Sequence, residues 1–144
     1  MHRQQFRVLK GNGMSDQKFK ADAGKAKPDL LFMGFARSLR LVQATLEYGA
    51  QKYEEHSWRQ VPNGEDRYFR AGERHHQERL IGAAGQFTPT IEFCDHESGL
   101  PHIAHEVFNL LCLMELALQN SDDPDALLKQ LCQFNPPPTA HKEA

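Results

Sequence analysis

No stretch of this chain is long and apolar enough to span a bilayer, and neither charge sign prevails, with 17 Lys and Arg against 19 Asp and Glu. The first absence argues against a membrane-spanning helix. The second leaves no reason to expect direct nucleic-acid binding or a membrane surface as partner. Cysteine is scarce. Cys94, Cys112 and Cys132 are an odd number without the spacing of a zinc site, so they read as reduced cytosolic thiols. The polar start MHRQQF lacks the features of a signal peptide, and a cytoplasmic protein is expected. No Walker-type glycine spacing surrounds Gly24 and Lys25, and no serine sits in a G-x-S-x-G elbow. Internal repeats are missing too. Histidine, by contrast, is in surplus: there are eight, several beside carboxylates.

The 144 residues suffice for one domain with a real core. Residues 1–27 read as an N-terminal arm or loop in which FRVL can form a short strand. Residues 28–134 read as a helical domain, and 135–144, NPPPTAHKEA, as a disordered tail. Phe35, Leu39, Val42 and Leu46 predict a helix over 35–48, closed by Gly49. A second helix is expected near 65–84, capped by Asn63 or Asp66. Its Tyr68, Ala71, Gly72 and His75 form a small-residue stripe that lets another helix approach. A short helix should begin at Ser121 or Asp122, with Pro124 in its first turn. The predicted class is all-α, a small helical bundle.

Cys94 to Asn109, CDHESGLPHIAHEVFN, is the stretch around which the rest is organised. With Ser98 as cap and Pro101 in the first turn, His102, His105, Glu106 and Asn109 share one helix face at i, i+3, i+4 and i+7. Ile103, Val107, Leu110, Leu111, Met114 and Leu118 line the other side. Beyond Leu110 this helix is apolar nearly all round, which suits a core shared with a second subunit. The polar stripe must find hydrogen bonds, water or a metal, and a solvated helix start remains the plain alternative.

The chain therefore offers carboxylates (Glu78, Glu92, Asp95, Glu97, Glu106), imidazoles (His75, His102, His105) and bases (Lys25, Lys52, Arg59, Arg74). Arg74 and Glu78 also have the spacing of a surface ion pair. Mg²⁺ or Mn²⁺ takes oxygen ligands together with substrate phosphates, and Lys or Arg pair with the remaining phosphate oxygens. The segment YGAQKYEEHSWRQVPNG adds Tyr53 and Trp58, which can stack on a base or simply fill a core. The set suits metal-assisted phosphoryl or nucleotidyl hydrolysis. H-E-x-x-H is absent, and Asp95-His96 stands in the reverse order of an HD pair.

The ordered series D-x-G-K (Asp22 to Lys25), D-L-L, Y-G-A-x-K-Y (Tyr48 to Tyr53), S-W-R (Ser57 to Arg59), R-Y-x-x-A-x-x-R-H (Arg67 to His75), E-x-x-D-x-E-S-G (Glu92 to Gly99) and H-x-x-H (His102 to His105) resembles the phage-encoded dATP/dGTP diphosphohydrolases. These are MazG-like, all-α nucleotide pyrophosphohydrolases. The resemblance covers roughly residues 20 to 118. It extends to the MazZ type, which adjusts nucleotide pools in phages that replace adenine with 2-aminoadenine. It implies a helical homo-oligomer, dimer or tetramer, that hydrolyses dGTP and/or dATP to monophosphate and pyrophosphate with Mg²⁺ or Mn²⁺. The chain departs from the pattern at Ser57, where Asn is usual, and in the longer loop GAAGQFTPT. The pair E-x-x-E and E-x-x-D has only stand-ins here, Glu92 with Asp95 and Glu106 with Asn109.

The expected catalytic residues are Glu92, Asp95, Glu97, His102 and His105. The expected metal ligands are His75, Glu92, Asp95, His102 and Glu106. Substrate contacts are expected from Lys25, Lys52, Tyr53, Trp58, Arg59, Tyr68 and Arg74, the aromatic rings enclosing the purine. Two other classes compete: a non-enzymatic helical dimer that binds nucleotide or protein, and an HD-like metal phosphohydrolase.

Overall fold

In the computed structural model, residues 24–84 and 91–137 are described. Most of the N-terminal arm with its FRVL segment, most of the GAAGQFTPT loop and the end of the tail lie outside them. The described residues form five α-helices and no strand, an all-α structure. The chain divides into two compact units, one up to Phe35 and one from Ala36 onward. In the first, Pro28 leads into the single turn α1 (Asp29–Phe32), whose Leu30, Leu31 and Phe32 are exposed. Pro28 suits such a start because its fixed φ is already helical.

The second unit holds α2 (Ala36–Lys52), a 3-10 helix (Ser57–Gln60), α3 (Gly64–Gly82), α4 (His102–Gln119) and α5 (Pro124–Leu131). Helix α4 is its axis: α2, α3, α5 and the 3-10 helix all pack on it. The small residues of α3 allow this approach, as the small-residue stripe predicted. A Cβ on Gly72 would lie 3.3 Å from Asn109 Cβ. At the end of α3, Gly82 leaves room for the Phe93 ring, which a Cβ would meet at 2.5 Å.

The face that α4 turns inward is largely polar. His102, His105, Glu106 and Asn109 are buried with Ala104, Cys112 and Leu116. Val107, Leu110, Leu111 and Met114 on the other side are exposed. Among the described residues no buried side-chain N or O lacks a partner, so the polar interior is satisfied.

Local boundaries differ from expectation in informative ways. Gly49 does not end α2, which runs through it to Lys52. Positive φ among the described glycines occurs at Gly24 and Gly99, so Gly49 is not a left-handed stop. The extra turn places Lys52 one helical step beyond Tyr48, on the same face. Ser98 does not cap α4, which Pro101 precedes without any side-chain cap. Asn63 enters α3 in the left-handed region without a side-chain bond, and α5 is capped by Asp123, which accepts from Ala126 N–H at 3.0 Å. No described helix is long and apolar enough to cross a membrane.

Candidate active site

The segment D-H-E-S-G ahead of α4 is a tight, internally bonded turn. Cys94 and Pro101 form an isolated antiparallel bridge, Asp95 N–H donates to Leu100 O at 2.9 Å, and His102 N–H donates to Phe93 O at 2.8 Å. At its tip Gly99 N–H donates to Asp95 O at 2.8 Å, with Gly99 at φ +70°. Only glycine takes that conformation without steric cost. Ser98 spends itself inside the turn. Its N–H donates to Asp95 Oδ2 at 2.8 Å, its Oγ accepts from Leu100 N–H at 3.2 Å, and the same Oγ shares a 2.8 Å hydrogen bond with His105 Nε2. The serine that sequence made a helix cap is thus the pin between turn and helix.

This turn aims Asp95 at two imidazoles. His75, from the middle of α3, has its Nδ1 2.9 Å from Nδ1 of His102 at the start of α4. The His75 ring also stacks on His105, with centroids 4.4 Å apart and planes 9° from parallel. One potential ligand atom from each of His75, Asp95 and His102 lies within 4.8 Å of the others. Burial, with neighbouring His105 and His102, drives the His75 imidazole down to about 4, so it is neutral at pH 7. Burial likewise lowers His105. Burial of Asp95 works to raise its carboxyl, but hydrogen bonds from Ser98 and the nearby His105 and His75 outweigh it and hold the group below its usual range. An ionised carboxylate beside two imidazoles is a donor set for a divalent cation.

The same turn carries Glu97 to the end of α2. Tyr48 Oη donates to Glu97 Oε1 at 2.9 Å, and the Lys52 ammonium donates to the same oxygen. Lys52 and then Tyr48 keep Glu97 ionised, while Glu97 raises both Lys52 and Tyr48. The Lys52 ammonium also lies 5.4 Å from the centre of the Tyr53 ring, which is 72% exposed.

The remaining expected residues lie in varied places. Arg59 stands over the half-buried Trp58 ring at 5.2 Å. Tyr68 packs edge-on against Phe108 and donates from its hydroxyl to Trp58 O at 3.1 Å; burial pushes its pKa up to about 12. Arg74 is exposed on α3 beside His75, and Glu92 is exposed in a turn before Phe93. Lys25 is exposed in the first unit, directly after Gly24. Glu106 faces a separate cluster, where Arg79 Nε donates to Oε2 at 2.8 Å and His76 Nδ1 pairs with Oε1 at 2.6 Å. Neither Glu92 nor Glu106 belongs to the group formed by His75, Asp95 and His102.

Sequence reasoning did not single out Tyr48, Ser98 or His76 and Arg79 as partners in the site. Tyr48 and Ser98 stood inside quoted motifs, so a signal existed. The His76-x-x-Arg79 spacing opposite Glu106 had none without the helix pairing.

No curated protein and no solved structure matches the chain. The sequence model described as "dATP/dGTP diphosphohydrolase, N-terminal" matches residues 15–125, which takes in α1 to α4 and the whole cluster. The chain belongs to the dATP/dGTP diphosphohydrolase N-terminal family.

Proposed function

We propose that this protein hydrolyses purine deoxynucleoside triphosphates, dGTP and/or dATP, to the monophosphate and pyrophosphate by attack of water at the α-phosphorus. The observation that carries this is the convergence of His75, Asp95 and His102 beside the Lys52–Glu97 pair, inside the segment that matches the family. The ion expected from the sequence is Mg²⁺ or Mn²⁺, and the cluster offers a divalent ion one nitrogen from each of two histidines and one carboxylate oxygen. When bound, such an ion neutralises phosphate charge and lowers the pKa of a water it holds.

The chain's own groups supply the rest. Asp95, held by Ser98, and the His75 and His102 rings would hold the ion. Glu97, ionised at neutral pH, accepts the proton of the attacking water. Lys52 can leave Glu97 for a phosphate oxygen, a more highly charged partner, and Arg74 and Arg59 are exposed bases within reach of solvent phosphates. His105 supports His75 by stacking. Tyr53 and Trp58 offer the faces for the purine ring.

The working unit in this reading is a homo-oligomer. Val107, Leu110, Leu111 and Met114 make an exposed apolar strip on α4, which a second subunit would cover. The reaction is tested by incubating the protein with each of the eight common NTPs and dNTPs plus Mg²⁺ or Mn²⁺ and separating the products. Monophosphate with pyrophosphate, strongest for dGTP or dATP, is the expected result. Release of triphosphate or single phosphates would instead assign HD-like chemistry, and no turnover would leave a binding module.

A further inference from the structure

We infer that the cluster of His75, Asp95 and His102 selects a borderline transition ion, such as Mn²⁺, Co²⁺, Fe²⁺ or Zn²⁺, and discriminates against Mg²⁺. The inference rests on the reading of this cluster as an ion site. It goes beyond that reading by naming the class of ion from the donors.

Two of the three donors are imidazole nitrogens. Mg²⁺ is hard, keeps several waters and takes oxygen ligands, whereas imidazole suits first-row transition ions. The pattern of two histidines and one carboxylate leaves open positions on such an ion for phosphate oxygens and water. Distance supports the assignment. Two nitrogens each about 2.1 Å from one ion and at right angles would be about 3 Å apart. His75 Nδ1 and His102 Nδ1 are separated by 2.9 Å. A simple imidazole–imidazole hydrogen bond would give the same separation; the Asp95 carboxylate, which also accepts from Ser98 N–H, is what adds an anionic donor beside the two nitrogens. The surroundings are built to hold these ligands in place. Ser98 bonds Asp95 by its N–H and His105 by its hydroxyl, and His105 lies flat against His75. Such supporting bonds fix ligand orientation around metal ions.

The test is binding of metal alone to the full chain after chelation and gel filtration, with no nucleotide present. Titration with CoCl₂ is followed by visible absorption and calorimetry, then by competition with MgCl₂, MnCl₂ and ZnCl₂. One ion per chain is expected, with affinity rising from Mn²⁺ to Co²⁺ and Zn²⁺, and Mg²⁺ weaker than Mn²⁺ by about tenfold or more. The Co²⁺ absorption should be lost or shifted in His102→Asn and in His75→Asn, each checked for helix content by circular dichroism. Mg²⁺ displacing Co²⁺ at comparable concentration would overturn the inference. So would a Co²⁺ spectrum unchanged in both folded variants, which would put the ion elsewhere. The wild-type competition decides the matter even if a variant does not fold. Mg²⁺ preference would leave the hydrolysis reading standing, and absence of hydrolysis would leave the metal result standing.

Discussion

His75 and His76 are adjacent on α3, yet each joins a different polar cluster against α4. His76 meets Glu106 together with Arg79, a buried carboxylate whose two oxygens are both taken by cationic or hydrogen-bonding partners. His75 meets His102, His105 and Asp95, where imidazoles face one another and a single carboxylate. The first cluster is complete in itself, with charge balanced and donors matched to acceptors. The second gathers imidazoles and one carboxylate, and among the described residues no Lys or Arg bonds to them. Each cluster sets buried groups of α4 against less buried partners, Glu106 against Arg79 and an exposed His76, His102 and His105 against His75 and Asp95, so the burial of the α4 residue does not separate structure from function. The balance of donors and acceptors does.

The contrast is sharpest in two substitutions with opposite signatures. Asp95→Ala should remove the only carboxylate of the open cluster. Loss of the charge stabilisation it anchors is expected to cost about 4 kcal/mol in the barrier, on the order of a thousandfold in turnover. Thermal unfolding should move little, because the carboxylate is partly exposed and its lost partner is a turn N–H. Full activity in this variant would remove the site from this cluster.

Glu106→Ala is the mirror experiment. Arg79 would be left in a half-closed setting, its side chain 15% exposed, with no counter-charge. Breaking a buried pair by deleting one partner costs about 3–5 kcal/mol. Denaturant unfolding should show that loss, while Co²⁺ binding by the fraction still folded should persist. A variant as stable as the parent would show that the closed cluster is not a structural tie between α3 and α4.

Much of this architecture is legible in the sequence, and the gaps have physical causes. The apolar period placed α2 and α4, and proline placed α5, because those signals are local. The polar stripe His102, His105, Glu106 and Asn109 could also be read, but not its direction. A polar face normally points to water. Here it points inward, since α3 brings His75, His76 and Arg79 to meet it and Gly72 lets the helices close. The same pairing divides Glu106 from Asp95, two carboxylates that spacing alone could not assign to different clusters. Ser98 misled for a different reason. Its position ahead of a helix fits a cap, and only the hairpin geometry reveals that its hydroxyl reaches His105.

Acid should separate the clusters more gently. The His75 imidazole is lowered from 6.5 to about 4 by burial and by its histidine neighbours, and His105 is lowered by burial as well. As pH falls below 6.5 the unfolded chain takes up protons that the folded, ion-free protein refuses until near pH 4. Stability should therefore be flat above that window and decline within it. Asp95 and Glu97, held below the carboxylate range, add a further loss as they protonate at lower pH. Urea midpoints from pH 8 to pH 4 measure this, and His75→Asn should flatten the decline. An equally steep curve in that variant would place the acid sensitivity in other groups.

The smallest effect should come from the pin between turn and helix. Ser98→Ala keeps the backbone N–H that bonds Asp95 at 2.8 Å, although it removes the hydroxyl's own interaction with that carboxylate. It deletes the hydroxyl that bonds His105 Nε2 and accepts from Leu100 N–H. His105 is then free to turn, and the flat stack that steadies His75 loosens with it. Losing such a supporting bond lowers metal affinity by about tenfold, at the lower end for groups behind a ligand. Calorimetric Co²⁺ binding should show that drop with the one-to-one ratio intact. Ser98→Thr retains a hydroxyl and should recover most of the affinity, which a general loss of stability in the turn would not allow. If alanine and threonine variants bind alike, the serine orders the turn alone, and the histidine stack is held by the packing of α3 on α4.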